Sequence, residues 1–227
     1  MTVYRLLLSL HVAAGHVALA AATVALLASK GGRAHAYAGR VFAAGMALIF
    51  LTAVPLTVLK PNLFLLLIAI FSFYLALTGW LRALNRTGVP MPGERFAAGV
   101  MALTAFGMLA RGAFMAARGD SMGTVLLVFG GIGGTLAVLD LRPASERYRG
   151  RARIAGHLTR MLAGTIATVT AFSVVNIRIQ PAVIVWLAPT VVFTPLIVYW
   201  NVRVRRPHGR VFASVADPTP REPRPAQ

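Results

Sequence analysis

Seven stretches of this chain, roughly 3–28, 41–59, 62–84, 95–117, 121–141, 154–177 and 181–202, are each long and apolar enough to cross a bilayer. A spanning helix needs about 20 mostly apolar residues, because every backbone amide must find its partner inside the segment when no water is present. Seven such stretches leave little chain for anything else. They predict an all-α polytopic membrane protein, a bundle of seven transmembrane helices over 1–203, followed by a basic, proline-rich cytoplasmic tail over 204–227 that is expected to be disordered. The connections are short, so consecutive helices are expected to be antiparallel neighbours.

Charge sets the orientation. The 23 lysines and arginines against 6 acids give a net charge of +17, which in a soluble protein would point to nucleic acid. Here the cations lie between the apolar stretches, where bilayer orientation explains them, and nucleic-acid binding is set aside. With the N terminus outside, 18 cations fall on the inner side and 5 (Arg5, Lys60, Arg111, Arg118 and Arg178) on the outer side. That asymmetry predicts an N-out, C-in protein of an inner (plasma) membrane. The first stretch starts like a signal peptide but ends in Lys30 and Arg33, which hold its far end inside and mark it as a retained helix. Tyr4, Trp80, Tyr199 and Trp200 fall near predicted span ends as interfacial anchors. Membrane lipids are therefore expected partners, and glycine- and alanine-rich helix faces allow further membrane subunits or a second copy.

Several chemistries are excluded. The chain has no cysteine, which rules out disulfides, iron–sulfur clusters and thiolate metal sites. Its only lysines, Lys30 and Lys60, lie at turns, so no buried lysine is placed for a retinal Schiff base. No Gly-x-Ser-x-Gly or His-Glu-x-x-His motif occurs, and no catalytic residue or metal site is assigned. The six acids are Glu94, Asp120, Asp140, Glu146, Asp217 and Glu222, none at a span centre; Asp140 is expected to pair with Arg142 or Arg82. "FGGIGGTL", Phe129 to Leu136, places Gly130 and Gly134 one turn apart for close helix packing. Pro55, Pro189 and Pro195 fall inside apolar runs.

Ionisable groups at membrane depth are costly and are the default functional candidates. An outer group holds His11, His16 and Arg111. His11 shares a helix face with Gly15, Ala18 and Ala22, while His16, five residues on, points about 140° away. A hydrogen bond from His11 to a neighbouring carbonyl, with Arg111 reaching outward, accounts for these residues; a polar pocket for an anion or a quinone headgroup is the functional alternative. An inner group is richer. "KGGRAHAYAGR", Lys30 to Arg40, carries His35 and Arg40 into helix two, and "RIAGHLTRMLAG", Arg153 to Gly164, carries His157 and Arg160 into helix six. Lys30 lies about 28 Å along the axis from His11, so the inner and outer groups cannot share one ligand. Positive-inside sorting explains the arginines but gains nothing from a neutral imidazole.

The stretches "LHVAAGHVALAA" and "KGGRAHAYAGRVFAAGM" resemble a bacterial family of predicted membrane proteins, the domain of unknown function twenty-three-oh-six, and "GHLTRMLAGTIATVTAFSVVN" resembles the later His, Met and Thr-Ala-Phe segment of its relatives. The resemblance covers about two-thirds of the chain at His11, Gly15, Lys30, Gly31, His35, Gly39, Arg40, Met46, His157 and Met161. Where the family's turn commonly reads His-Arg, here Ala36 follows His35. The resemblance implies a membrane fold and no activity. Three functions follow from the residues: a small-molecule-, cofactor- or lipid-binding membrane protein with an inner His/Arg site; a redox protein in which His35 and His157 hold b-type haem or contact a quinone; and an accessory subunit of a larger membrane complex.

Overall fold

A computed structural model describes residues 2–85, 87–142 and 149–206. The described residues form seven helices and no strand: α1 (Val3–Leu27), α2 (Arg33–Leu59), α3 (Leu63–Leu84), α4 (Pro92–Ala117), α5 (Met122–Leu141), α6 (Gly150–Asn176) and α7 (Val183–Arg205). All seven are long and apolar enough to span a membrane. The expected tail beyond residue 206, and with it Arg86, Arg147, Arg210, Arg221 and Arg224, lies outside the described residues.

The helices begin where local chemistry provides partners for their first amides. Thr2 Oγ1 accepts from Arg5 N, Asn62 Oδ1 accepts from Leu65 N at 3.0 Å, and the Glu94 carboxylate accepts from Met91 N at 2.8 Å; each satisfies an amide that the helix leaves orphaned. α2 starts at Arg33, eight residues before the apolar stretch that announced it. Gly31 takes a left-handed φ of 81° and lets the chain turn sharply, after which Gly32 precedes the first helical residue. Hydropathy marks the part of a helix that meets lipid, and the helix itself runs on past it. His35 is thereby placed in the first turn of α2.

Packing runs α1 on α2, α2 on α3, α3 on α4 and α4 on α5, as short connections dictate. α6 departs from that order, packing on α3 and α7 and touching α1. α3 is therefore the central helix. Its Leu67, Phe71 and Leu75 meet Met101 and Met108 of α4 and Leu126 and Phe129 of α5, with Phe71 and Phe129 stacked at 5.3 Å. A second core joins Ala18 and Ala22 of α1 to Phe42 and Met46 of α2 and Ala76 of α3. The small-residue stripe of α1 serves backbone approach: a Cβ on Gly45 would lie 3.0 Å from Ala18 Cβ. The α5 glycines do the same against α4, a Cβ on Gly130 lying 3.0 Å from Met108 Cβ.

The outer surface is apolar. Leu103, Phe106 and Val175 are 74%, 72% and 76% exposed, which suits a hydrocarbon solvent and no other. At one end of the bundle lie the α1–α2 and α3–α4 connections and the C terminus of α7; we call it the basic end. At the opposite end Lys60 Nζ sits 4.4 Å from the Tyr4 ring centre. Tyr199 and Trp200 stack edge to face at the basic end beside Arg203, whereas Trp80 is half-buried with its indole nitrogen covered, and so faces the protein rather than the headgroups.

Candidate functional site

Two imidazoles meet at the basic end. Lys30 folds back over the end of α1, its Nζ donating to the carbonyls of Ala25 (3.0 Å) and Leu26 (2.5 Å); the desolvation this entails holds its pKa below the ordinary lysine value. His35 Nδ1 reaches the same Ala25 carbonyl at 3.0 Å. On α6, His157 Nδ1 lies 2.8 Å from the Gly79 carbonyl of α3. A carbonyl only accepts, so both Nδ1 atoms carry a proton, and the nitrogen that can offer a lone pair in each ring is Nε2. The ring centroids are 6.5 Å apart with planes at 86°. Both side chains are half-buried, and neither Nε2 has a hydrogen-bond partner among the described residues. The common depth expected for histidines on α2 and α6 is thus met, although the two helices are held together less by direct packing than by α1 and α3 on either side.

Glycine makes the α3 side of this arrangement. A Cβ on Gly79 would come within 3.0 Å of Met161 Sδ and 3.1 Å of Arg160 Cβ. Without it α6 cannot approach near enough for His157 to reach the Gly79 carbonyl.

The other expected members of an inner pocket go elsewhere. Arg40 is exposed, five residues after His35 and so about 140° around α2 from it. Arg160 is buried and turned away from the histidines, joining an ionic cluster that sequence reasoning did not assemble. There, Asp140 Oδ1 accepts from Arg82 Nη2 at 2.6 Å and from Arg160 Nη2, while Asp140 Oδ2 accepts from Tyr74 Oη at 2.7 Å. Arg82 Nε lies 3.8 Å from Glu94 Oε1, and Glu94 Oε2 accepts from Asn85 Nδ2 at 3.2 Å. All six residues are at most 4% exposed. Two guanidinium groups balance two carboxylates, which is how buried charge is tolerated.

Of the two partners expected for Asp140, Arg82 is the one it takes and Arg142 is exposed; Arg160 is a second partner that was not expected. Arg82 and Arg160 were accounted for by positive-inside sorting, which hid their roles. A signal was present in Tyr74, Thr78 and Arg82, which recur every four residues on one face of α3. Another was Gly156, where a Cβ would lie 2.5 Å from Arg82 Nη1. Arg153 completes the α6–α3 seam by donating to the carbonyls of Arg82 and Ala83.

At the opposite end, His11 Nδ1 lies 3.1 Å from the Ile49 carbonyl and 3.0 Å from Thr52 Oγ1, which ties α1 to α2. His16 is exposed, its Nδ1 on the Val12 carbonyl of its own helix and its ring 6.1 Å from Phe172. Arg111 is exposed on α4, its guanidinium 6.0 Å from the Phe114 ring. His11 and Arg111 are therefore engaged separately, one between helices and the other on the surface.

Among the described residues no group of three or more His, Cys, Asp or Glu is placed to hold a metal ion. The His35–His157 pair supplies two nitrogen donors and no carboxylate. No protein-family model, curated protein or solved structure matches this chain.

Proposed function

We propose that this integral membrane protein binds a small molecule or cofactor at its basic end, through His35 and His157, in a bacterial plasma membrane with that end in the cytoplasm. One observation carries the reading: imidazoles from two helices stand at one depth, with Nδ1 held by a carbonyl of α1 for His35 and of α3 for His157, and Nε2 without a partner among the described residues. His11 is held in the same way, by Nδ1 on the Ile49 carbonyl and Thr52 hydroxyl; what sets His35 and His157 apart is a second imidazole 6.5 Å away. Lys30, Arg33 and Arg153 lie around the pair, or within a turn of it, and favour a ligand with negative charge.

The test is native mass spectrometry of the full chain released from mild detergent. The wild-type protein should carry a non-protein mass that is lost in His35→Leu and in His157→Leu but kept in Arg111→Ala. A wild-type chain with no adduct, or an adduct that survives both histidine variants, refutes the reading.

A further inference from the structure

Resting on that reading, we propose that the ligand is a metal centre that would be held by Nε2 of His35 and of His157. Iron in a porphyrin has this chemistry, and so does a two-coordinate monovalent copper ion.

Four observations converge. The first is the tautomer. Ligating histidines are commonly oriented by donating their other ring N–H to a backbone carbonyl, which fixes the ring and raises the basicity of the ligating nitrogen. Both rings do this, His35 to α1 and His157 to α3, so the Nε2 atoms are the nitrogens left for whatever lies between α2 and α6.

The second is spacing. A metal about 2 Å from each of two imidazole nitrogens sets the ring centres about 6 Å apart, and the observed separation is 6.5 Å. Edge-to-face packing of two rings also fits this distance. It does not employ the lone pairs, however, and two such nitrogens on neighbouring rings offer an electron-pair acceptor two ligands.

The third is donor number. Structural zinc takes four protein ligands and catalytic zinc three, whereas here two histidines stand with no third His, Cys, Asp or Glu among the described residues. Among the described residues nothing further completes such a centre, which suits iron completed by a macrocycle or a metal content with two ligands.

The fourth is charge. Lys30 Nζ shares the Ala25 carbonyl with His35, and Arg153 lies one turn before His157. Among the described residues no carboxylate joins the pair to offset a bare dication. An anionic macrocycle or a single positive charge is accommodated more readily. Deeper in the bundle the Phe42 ring lies about 3.5 Å from where a Gly164 Cβ would be, closing the gap between α2 and α6, so the centre sits toward the headgroups.

The experiment uses the full chain in mild detergent, titrated with haemin in one arm and with monovalent copper under reductant, against a chromophoric copper chelator, in the other. The expected result in the haemin arm is a sharp Soret band with resolved α and β bands on reduction, the spectrum of six-coordinate low-spin iron. In the copper arm it is withdrawal of one equivalent from the chelator. In whichever arm binds, His35→Leu and His157→Leu should each weaken affinity more than about tenfold. His35→Met, which retains a ligand, should keep binding with an altered spectrum or affinity, and helical circular dichroism guards against misfolding. Binding unchanged in both leucine variants overturns the inference. So does a wild-type chain that takes neither haemin nor copper. If that chain nonetheless carries a histidine-dependent adduct without metal, the binding site stands and only the metal centre falls.

Discussion

Replacing Asp140 with asparagine removes one negative charge from a cluster in which Arg82, Arg160, Asp140 and Glu94 sum to zero. Asp140 is 3% exposed and touches both guanidinium groups, with Arg82 Nη2 at 2.6 Å. At an effective dielectric of about 20, opposite charges 4 Å apart attract by about 4 kcal/mol. Breaking a buried pair from one side costs about 3–5 kcal/mol, since the remaining charge stays desolvated. Asp140→Asn should therefore destabilise the bundle by about 3–5 kcal/mol, and Arg160→Gln by a similar amount, because it leaves an excess carboxylate. The double variant returns the sum to zero, with Arg82 and Glu94 still opposed. It should cost at least about 2 kcal/mol less than the two single losses added, the coupling expected of residues in one network. Reversible unfolding in mixed detergent micelles, followed by circular dichroism, measures all three variants. A loss below about 1 kcal/mol for Asp140→Asn, or strict additivity in the double variant, would refute the claim that these groups form one charge-balanced unit.

Three further outcomes follow from the geometry. Gly123→Ala sets a Cβ 2.6 Å from the Ala116 nitrogen and the Gly112 oxygen, both backbone atoms, and should cost about 1–3 kcal/mol by forcing α4 and α5 apart; Gly131→Ala meets nothing within 4 Å and should be neutral or stabilising by up to about 1 kcal/mol, so equal melting losses in the two would sink the packing argument. Thr52→Val removes one of the two acceptors facing His11 Nδ1 and should cost about 0.6–1.7 kcal/mol without changing any ligand bound at the basic end, read by thermal denaturation alongside the native mass. Because the chain has no cysteine, single cysteines at Thr2 and Arg206 allow a clean topology assay: an impermeant maleimide on intact cells should label the first and spare the second, and the reverse pattern would invert the proposed orientation.

Length and hydropathy alone were enough to place seven helices, because a bilayer leaves the backbone no other way to satisfy itself. The helix ends were less legible. α2 begins at Arg33 and α6 at Gly150, in segments polar enough to read as connections. The shared depth of His35 and His157 followed from both helices running the same way through the membrane. Their direct opposition depended on Gly79 and on α6 packing against α3 instead of α5, and neither is encoded in local periodicity. The ionic cluster was hidden for a related reason. Each arginine in it had a sufficient explanation by itself, and only the helix order shows that Tyr74, Arg82 and Arg160 converge on Asp140.

The position of α7 has a consequence for how the chain is made. The ionic cluster, the histidine pair and both hydrophobic cores are anchored in α1–α6, while α7 lies mainly along α6, tied there by Asn201 Nδ2 on Thr159 Oγ1 at 2.8 Å and by Arg151 Nη1 on the Arg206 carbonyl at 3.0 Å. Made after the other six helices, it joins a bundle whose costly charges have already been matched. A nascent chain stopped after Asn176 would then hold its two imidazoles in place before the seventh helix is inserted.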